Sequence, residues 1–441
     1  MKWSDAETMF PWDREETTPF RSGRRSAKHV LSYQTPASVS VPQVHAPTVE
    51  LACPFNGVTF SQQLRELADE ADTCELDCQE VYGKGELMQT FEAEISQHIG
   101  KPAACFVPSG VMAQQIALCA HFDKASDNKN CSGIENASAG EVDVIKCVLL
   151  HPSSHLLIHE QDAVRKLLGF EVVSAGAHDS PLTLADVQAA LQRRDAQGLP
   201  PPTAVIIEVP HRELGGWNTP EPDLRKISAL CRGRGIALHM DGARLWDTAP
   251  FFAATGGVQG VAALFDSVYV SFYKGLGGPV GAMLLGEERF VCAARVWLRR
   301  FGGNLYTMAP FVLANRRAFH ALKGSFEART ERLVQVVSAI STALAGVVGH
   351  KQQPRVRFVP AVPECAQVHV YLVGGCAELN AARDATIASH GISVFDRTRG
   401  PGVSDGSEQC FEFKMGPCNM TIPDDIFVKG WLAFVQHLQE R

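Results

Sequence analysis

The sequence has no run of eighteen apolar residues and no excess of positive charge. Without such a run a membrane-spanning helix is not expected, and a formal net charge of −7 gives no reason to expect a nucleic-acid partner. Residues 1–25 carry charge and proline early and lack the apolar core of a secretory signal, so a cytoplasmic location is expected. With 441 residues, 45% of them hydrophobic, the chain is long enough to bury a sizeable core.

A disulfide framework and a metal site are not expected either. The thirteen cysteines are odd in number, scattered, and often embedded in apolar strings, which is typical of reduced and buried thiols. No CxxC pair occurs. Cys74 and Cys78 would share one face of a helix, but no matching second pair completes a set of metal ligands.

The chain divides into segments by composition and periodicity. Residues 1–50 mix Pro, Ser, Thr, Arg and Glu without a period, which predicts a flexible extension. Residues 51–303 alternate apolar strands with amphipathic helices, which predicts an α/β domain with a mostly parallel sheet covered on both faces. Within it, residues 124–143 are polar and predict a surface insertion. Residues 304–441 predict a long helix followed by a small α+β domain.

A turn of small residues follows the strand-like string AACFV and precedes a helix. Backbone N–H groups at such a helix start, with the positive end of the helix dipole, form a site for a phosphate. Ser109 and Gly110 are the expected donors. The same two residues also serve simply to make the bend, and this reading stays open.

Asp241 and Lys274 each follow a short apolar run that reads as a strand. In an α/β protein the carboxyl ends of parallel strands face the ligand crevice. A lysine there suits a Schiff base with pyridoxal phosphate, and a carboxylate suits holding the pyridine nitrogen protonated. Asp241 also suits an N-cap of the segment that follows it. The glycines after Lys274 do not match a nucleotide-binding loop. In a phosphate-binding loop the lysine follows the glycines, and a dinucleotide-binding loop opens a helix, whereas here the lysine precedes the glycines and a strand follows them.

Several segments in order resemble the threonine aldolase and β-eliminating lyase family, whose members use pyridoxal phosphate on the aspartate-aminotransferase-like fold (fold type I). They read HMDGARLWDTA and SFYKGLGGPVGAML, preceded by EVYGKGELMQTFEAEISQHIGKPAACFVPSGVMAQQIAL, HPSSHLLIHEQDA and IIEVPHRELGG. The similarity covers residues 51–303 well and the carboxyl-terminal part loosely. It implies a pyridoxal 5'-phosphate enzyme with a large cofactor-binding domain and a small α+β domain.

The resemblance implies a role for each matching residue. Lys274 becomes the Schiff-base lysine and Asp241 the partner of the pyridine nitrogen. Arg244 contacts the phenolic oxygen of the cofactor or the substrate carboxylate, unless it forms only a structural ion pair. His155 stacks on the pyridine ring and helps to move protons. His211 lies near the β-substituent of the substrate.

The resemblance also implies a phosphate cup and a subunit contact. Ser109, Gly110 and Val111 stand where the family binds the cofactor phosphate. Tyr82 and Gly83 match a pair that lies near the active site where subunits meet, although a packed turn is the alternative. A homodimer or homotetramer is therefore expected by analogy.

Four positions that bear on ligands depart from the family pattern. Phe55 stands in place of a substrate-contacting serine, and Val111 replaces a threonine of the phosphate cup. Tyr306 replaces an arginine on the phosphate. The arginine that binds the substrate carboxylate is missing; Lys414 is the nearest basic residue. Arg397 and Arg399 are further candidates, and a lysine is no equivalent of a bidentate guanidinium.

The expected activity is cleavage of the Cα–Cβ bond of a β-hydroxy-α-amino acid, such as threonine or allo-threonine, to glycine and an aldehyde. The β-hydroxyl proton would pass to His155, His211 or a water. Two alternatives remain open: another reaction on the same cofactor, such as amino-acid racemisation or β-elimination, and a catalytically silent protein that keeps the fold.

Overall fold

A computed structural model describes residues 48–55, 59–77, 79–131, 146–347, 355–400 and 408–440. Residues 1–47 of the predicted extension, Cys78 of the cysteine pair and residues 132–143 of the predicted insertion lie outside these ranges. Within them, no helix is both long and apolar enough to cross a membrane.

A seven-stranded sheet forms the centre of the fold. Its strands, in spatial order, are β2 (Ala103–Val107), β8 (Ala282–Gly286), β7 (Ser267–Ser271), β6 (Ala237–Gly242), β5 (Ala204–Glu208), β3 (Cys147–Leu150) and β4 (Glu171–Ser174). Only β8 runs against its neighbours. The central strands are mostly apolar and buried along their whole length, as a sheet covered by helices on both faces requires.

Helices cover this sheet. They are α1 (Phe60–Thr73), α2 (Glu86–Ile99), α3 (Gly110–Cys131), α4 (His155–Ile158), α5 (Ala163–Lys166), α6 (Leu184–Ala196), α7 (Glu221–Gly233), α8 (Leu245–Thr248), α9 (Gly257–Ala262), α10 (Glu288–Arg300) and α11 (Ala309–Leu322), with 3-10 turns at Arg212–Leu214 and Ala249–Thr255. In α2, Leu87, Phe91 and Ile95 recur every four residues and are buried; the helix ends where Gly100 adopts a left-handed conformation.

A second sheet lies in the carboxyl-terminal part of the chain. It is antiparallel, in the order β12 (Glu408–Lys414), β10 (Gln367–Val373) and β9 (Val356–Val359). The helices α12 (Phe326–Val347), α13 (Cys376–His390) and α14 (Asp424–Gln439) accompany it. A short parallel pair, β1 (Val49–Glu50) and β11 (Ile392–Ser393), completes the fold. These elements share one apolar core, which includes Leu51, Leu333 and Trp431.

The structure corrects three local predictions. Val49–Glu50, predicted to belong to the flexible extension, pair with β11. Residues 124–131, predicted to start a surface insertion, continue α3, because a polar helix end needs no apolar period once the buried part has been nucleated. The long carboxyl-terminal helix is two helices, interrupted between Leu322 and Phe326 where Gly324 disfavours helix.

The predicted α/β fold with a mostly parallel sheet is confirmed. The domain boundary at residue 303 stays a prediction. Side chains from Met308 to Phe326 pack in the core of the large sheet, whereas Leu51 packs with the carboxyl-terminal core.

Candidate active site

The predicted site residues converge at one edge of the large sheet. Strands β3, β5, β6 and β7 are parallel, so their carboxyl ends meet at the same edge. His155 follows β3, His211 follows β5, Asp241 lies in β6 and Lys274 follows β7. Glu208, Asp241 and the adjacent Tyr269 of β7 are in register on three neighbouring strands.

Lys274 has the properties of a reactive amine. Burial lowers its pKa from 10.5 to about 8, and the positive charge of Arg244 acts in the same direction. The carboxylates of Asp241 and Glu208 oppose this shift. A larger share of the side chain is therefore uncharged near neutral pH, as nucleophilic attack on a carbonyl requires.

Asp241 is buried without a counter-cation. Its Oδ1 accepts a hydrogen bond from the N–H of Ala243 at 3.0 Å, and no basic group of the described residues lies within ion-pair distance. Burial and the neighbouring Glu208 raise the pKa of Asp241. The next helix, α8, has Arg244 at its N-cap, so Asp241 does not cap it. A protonated pyridine nitrogen would supply the missing cation, so the residues fit pyridoxal phosphate.

His155 is held by two carboxylates. Its backbone N–H donates to Oε1 of Glu208 at 2.6 Å, and its Nδ1 lies 3.1 Å from Oε1 of Glu160. Burial lowers the pKa of His155, with Asp241 opposing the shift. Burial and the charge of Asp241 raise the pKa of Glu160 to about 8.

His211 is also buried and neutral. Its exposed fraction is 5%, and burial lowers its pKa to about 4. Its Nε2 lies 3.0 Å from Oγ of Ser153, which in turn lies 2.8 Å from Nδ1 of His151. A neutral imidazole has one nitrogen that can accept a proton, although a pKa of about 4 makes His211 a weak base at neutral pH.

A basic cluster lies beside Lys274. Arg244 pairs with Glu412 at 3.5 Å, and Lys414 pairs with the same carboxylate at 2.7 Å. The structural ion pair considered for Arg244 is thus present. Arg244, Lys274, Lys414 and Phe55 line one cavity of about 200 Å³. Arg397 and Arg399, the other candidates for the substrate carboxylate, line a different cavity of about 500 Å³.

Two residues of the smaller cavity were missed by the sequence reasoning. Arg329 of α12 is 1% exposed, and its Nη1 donates to the carbonyl of Gly275 at 2.8 Å. Its Nε and Nη2 have no partner among the described residues. Gln367, at the start of β10, is 2% exposed with both amide atoms unpartnered in the same part of the chain. No sequence motif marks either residue, because each lies far along the chain from Lys274.

Glu160 and Glu208 were also missed, although both stand inside motifs quoted for the resemblance. For Glu208, the sequence signal is its position at the end of β5, the strand beside the one that carries Asp241. Parallel pairing of two strands that each end in a carboxylate is enough to predict that the pair would interact.

The start of α3 has features of both roles considered for it, a phosphate site and a simple bend of the chain. Oγ of Ser109 accepts the N–H of Met112 at 3.2 Å, which caps the helix. A Cβ on Gly110 would overlap the hydroxyl of Tyr269 and lie 3.0 Å from that of Tyr273. The side chain of Val111 has no hydroxyl and is 39% exposed. Two tyrosine hydroxyls therefore stand at the helix start, where Val111 supplies none.

The predicted Tyr82–Gly83 pair does not join Lys274 in this chain. Both residues line a separate cavity of about 500 Å³ together with Arg295. The ring of Tyr82 packs edge-on against Tyr306 at 5.5 Å, and Tyr306 is exposed. Their contact with a second subunit stays a prediction.

Known proteins are similar to this chain over much of its length. Residues 59–353 match the model of the Beta-eliminating lyase family. The chain is 34% identical to the aldolase vrtJ of Penicillium aethiopicum over 227 residues, which are 51% of this chain and 52% of that protein. It is 28% identical to the low-specificity L-threonine aldolase of Candida albicans, over 57% of this chain and 62% of the relative.

A solved structure extends the similarity over most of the chain. A Listeria monocytogenes protein assigned as an L-allo-threonine aldolase superposes with a TM-score of 0.73 at 30% identity, covering 88% of this chain and 96% of that one. The family and its structural neighbours are pyridoxal-phosphate-dependent enzymes of fold type I. The family match spans two thirds of the sequence, and the predicted resemblance is confirmed: the chain belongs to the Beta-eliminating lyase family.

Proposed function

We propose that this chain is a pyridoxal-phosphate-dependent lyase of the threonine-aldolase type. It cleaves the Cα–Cβ bond of a β-hydroxy-α-amino acid to glycine and an aldehyde. The observation that carries the proposal is Asp241, a buried carboxylate that forms no ion pair with any described residue, at the same sheet edge as Lys274, whose pKa is lowered. The threonine aldolases among the relatives support the choice of reaction.

Lys274 would hold the cofactor covalently, and Asp241 would hold its ring nitrogen. When bound, the cofactor accepts the electron pair released at Cα. Asp241 favours this because its negative charge keeps the ring nitrogen protonated. His155, held by Glu208 and Glu160, would lie against the ring.

Proton removal from the β-hydroxyl is assigned to His211. The group must be neutral before it accepts a proton, and burial keeps the pKa of His211 near 4, so it is neutral at pH 7. As the hydroxyl proton moves to the imidazole, the C–O bond gains double-bond character and the Cα–Cβ bond breaks. The Cβ fragment leaves as the aldehyde, and Cα of the remaining fragment gains a proton to give glycine.

The substrate carboxylate is assigned to the cavity that Lys274, Arg244 and Lys414 share. The sequence leaves three basic residues as candidates for binding the substrate carboxylate. Of these, Lys414 lines this cavity, whereas Arg397 and Arg399 line the other one. A homodimer or homotetramer, expected from the family resemblance, stays a prediction that sedimentation analysis would test.

The first test is chemical. Purified protein is incubated with pyridoxal phosphate, reduced with borohydride and digested, and the peptides are analysed by mass spectrometry. The added cofactor mass is expected on the peptide that contains Lys274 and on no peptide of Lys274→Ala. A wild-type protein that takes up no cofactor would favour the catalytically silent alternative.

The second test concerns the reaction. Glycine and aldehyde are measured with threonine, allo-threonine and phenylserine, while racemisation of alanine and elimination from serine are measured in parallel. Cleavage of at least one hydroxy amino acid, lost in Lys274→Ala, is expected. Activity on alanine or serine alone would replace the aldolase by a racemase or a β-eliminating lyase.

A further inference from the structure

We propose that His151 and Ser153 are positioning residues that hold the ring proton of His211 on Nε2 and keep its Nδ1 free to accept a proton. The consequence for turnover rests on the proposed function. The hydrogen-bond chain itself rests on geometry alone. No motif quoted for the family resemblance assigns a role to either residue.

The chain of contacts runs between two neighbouring strand ends. His151 and Ser153 follow β3, and His211 follows β5, which pairs with β3 in parallel. Nε2 of His151 lies 3.0 Å from the carbonyl of Ser180. Nδ1 of His151 lies 2.8 Å from Oγ of Ser153, and the same Oγ lies 3.0 Å from Nε2 of His211.

The carbonyl of Ser180, at one end of this chain of contacts, determines which ring nitrogen of His151 carries the proton. A carbonyl oxygen only accepts, so Nε2 of His151 must donate to Ser180 and carry the proton. Burial lowers the pKa of His151 to about 4, so the ring is neutral at pH 7 and has only this one proton. Nδ1 of His151 is therefore an acceptor. The backbone N–H of Ser153, at 3.2 Å, donates to it as well.

The hydroxyl of Ser153 then determines which ring nitrogen of His211 carries the proton. A contact of 2.8 Å between Oγ and an unprotonated Nδ1 needs a proton between the two atoms, and only the hydroxyl can supply it. With its proton committed to His151, Oγ accepts from its other neighbour. Nε2 of His211 then donates and carries the proton.

The result is a single tautomer of a buried, neutral histidine. The rings of His151 and His211 meet edge-on, with 4.5 Å between their centres, and the two residues and Ser153 are 3%, 5% and 6% exposed. Water therefore competes little for these contacts. A histidine held as Nε2–H has its lone pair on Nδ1, and that nitrogen is the one that would take the β-hydroxyl proton.

Removing the hydroxyl is expected to release this preference. In Ser153→Ala, Nε2–H of His211 loses its acceptor and is left unpaired in a buried position, which disfavours that tautomer. In Ser153→Thr the hydroxyl remains. Ser154→Ala is the matched control, because Ser154 is 3% exposed and its Oγ has no partner among the described residues.

The direct experiment observes the ring nitrogens. The holoenzyme is labelled with 15N in its histidine rings, and the His211 signals are identified by their loss in His211→Gln. Wild type is expected to show a protonated Nε2 and an unprotonated Nδ1. Ser153→Ala is expected to shift both signals toward the other tautomer, whereas Ser153→Thr and Ser154→Ala keep the wild-type pattern.

Kinetics provide the second readout. In Ser153→Ala we expect kcat to fall about 10- to 100-fold, less than the roughly 100- to 10,000-fold contribution of a general base because His211 itself remains, with KM little changed. Ser153→Thr is expected to recover most of kcat. A protonated Nδ1 in wild type, or an unchanged His211 pattern in Ser153→Ala, overturns the proposal. A wild type that shows the expected pattern but cleaves no hydroxy amino acid overturns the proposed function instead.

Discussion

Glu208 holds the start of the helix that carries His155. Its Oε1 accepts the backbone N–H of His155, the first residue of α4, while its Oε2 accepts the N–H of Arg212 at 3.2 Å, the first residue of a 3-10 turn. The first N–H groups of a helix have no partner within it. One buried carboxylate thus fixes the two loops that bear the candidate histidines His155 and His211.

The first prediction concerns this carboxylate. Glu208→Gln keeps the shape but leaves one oxygen acceptor for two N–H groups, so one of them becomes unpaired. We expect a loss of about 1–3 kcal/mol in the free energy of unfolding, measured by urea denaturation, and a lower kcat. Glu221→Gln, the same change in an exposed helical pair with Arg225, is the control and should stay within about 0.5 kcal/mol. Equal stability of both variants would contradict the role of Glu208.

The second prediction concerns the pH dependence of cofactor uptake. The neutral amine attacks the aldehyde, and Lys274 loses its proton above its pKa, so the uptake rate should rise with a midpoint near pH 8. Arg244→Gln removes a cation that lowers this pKa and should move the midpoint upward, toward 10.5. Uptake is followed by absorbance between pH 6 and 10. An unshifted midpoint would show that burial alone sets the pKa of Lys274.

The third prediction is a stability difference that depends on pH. The pKa of Glu160 is about 8 in the folded chain and 4.5 when unfolded, so between these values only the folded state keeps the proton. Stability from this group is complete below pH 4.5 and declines as pH rises toward 8. Glu160→Gln cannot lose a proton. We expect equal Tm values at pH 5 and a higher Tm of the variant at pH 8.5, by scanning calorimetry.

The size of that gain is of the order of 1–3 kcal/mol, because one pKa unit corresponds to about 1.4 kcal/mol and neighbouring charges share the shift. Glu331→Gln is the control, since Glu331 is exposed. A Glu160→Gln variant whose Tm follows that of wild type at both pH values would contradict the raised pKa.

The fourth prediction concerns substrate affinity. Nη1 of Arg329 is anchored on Gly275, and the unpartnered Nε and Nη2 lie on one edge of the guanidinium, the edge that binds a carboxylate with two hydrogen bonds. Arg329→Lys keeps the charge but removes that edge. We expect KM for the cleaved hydroxy amino acid to rise about 10-fold, with a smaller change in kcat.

Arg332→Lys, one turn further along α12 and paired with Asp424, is the matched control. The KM of this control should stay close to wild type. If Arg329→Lys also keeps the wild-type KM, the carboxylate is bound by Lys414 and Arg244 without Arg329, and Arg329 serves only to hold the loop after Lys274.

Much of this protein could be predicted from its strand ends. Asp241 and Lys274 follow apolar runs, and parallel strands bring such positions to one edge, so their meeting at one sheet edge could be predicted from sequence order. The contact of Ser153 with His211 could not be predicted from sequence order, because it depends on β3 lying next to β5. Strand order within a sheet is not encoded by the period of any one strand.

The residues that the carboxyl-terminal part of the chain contributes to the cavity beside Lys274 were the least predictable. The sequence does not decide among the three candidates for the substrate carboxylate. Folding places Lys414 with Lys274, whereas Arg397 and Arg399 line another cavity. Arg329 joined that cavity from a helix with no motif. Its signal is burial of a charged group, which a helical period does not predict.

The sequence by itself determined the fold class and the family, because these rest on local patterns: apolar strands, the turns after them, and the residue types at their ends. Tertiary structure decided which groups surround Asp241 and Lys274. Protonation states of Glu160, His211 and Lys274 depend on burial and on charges brought close from distant parts of the chain. Those distances are set only when the sheet and its covering helices pack.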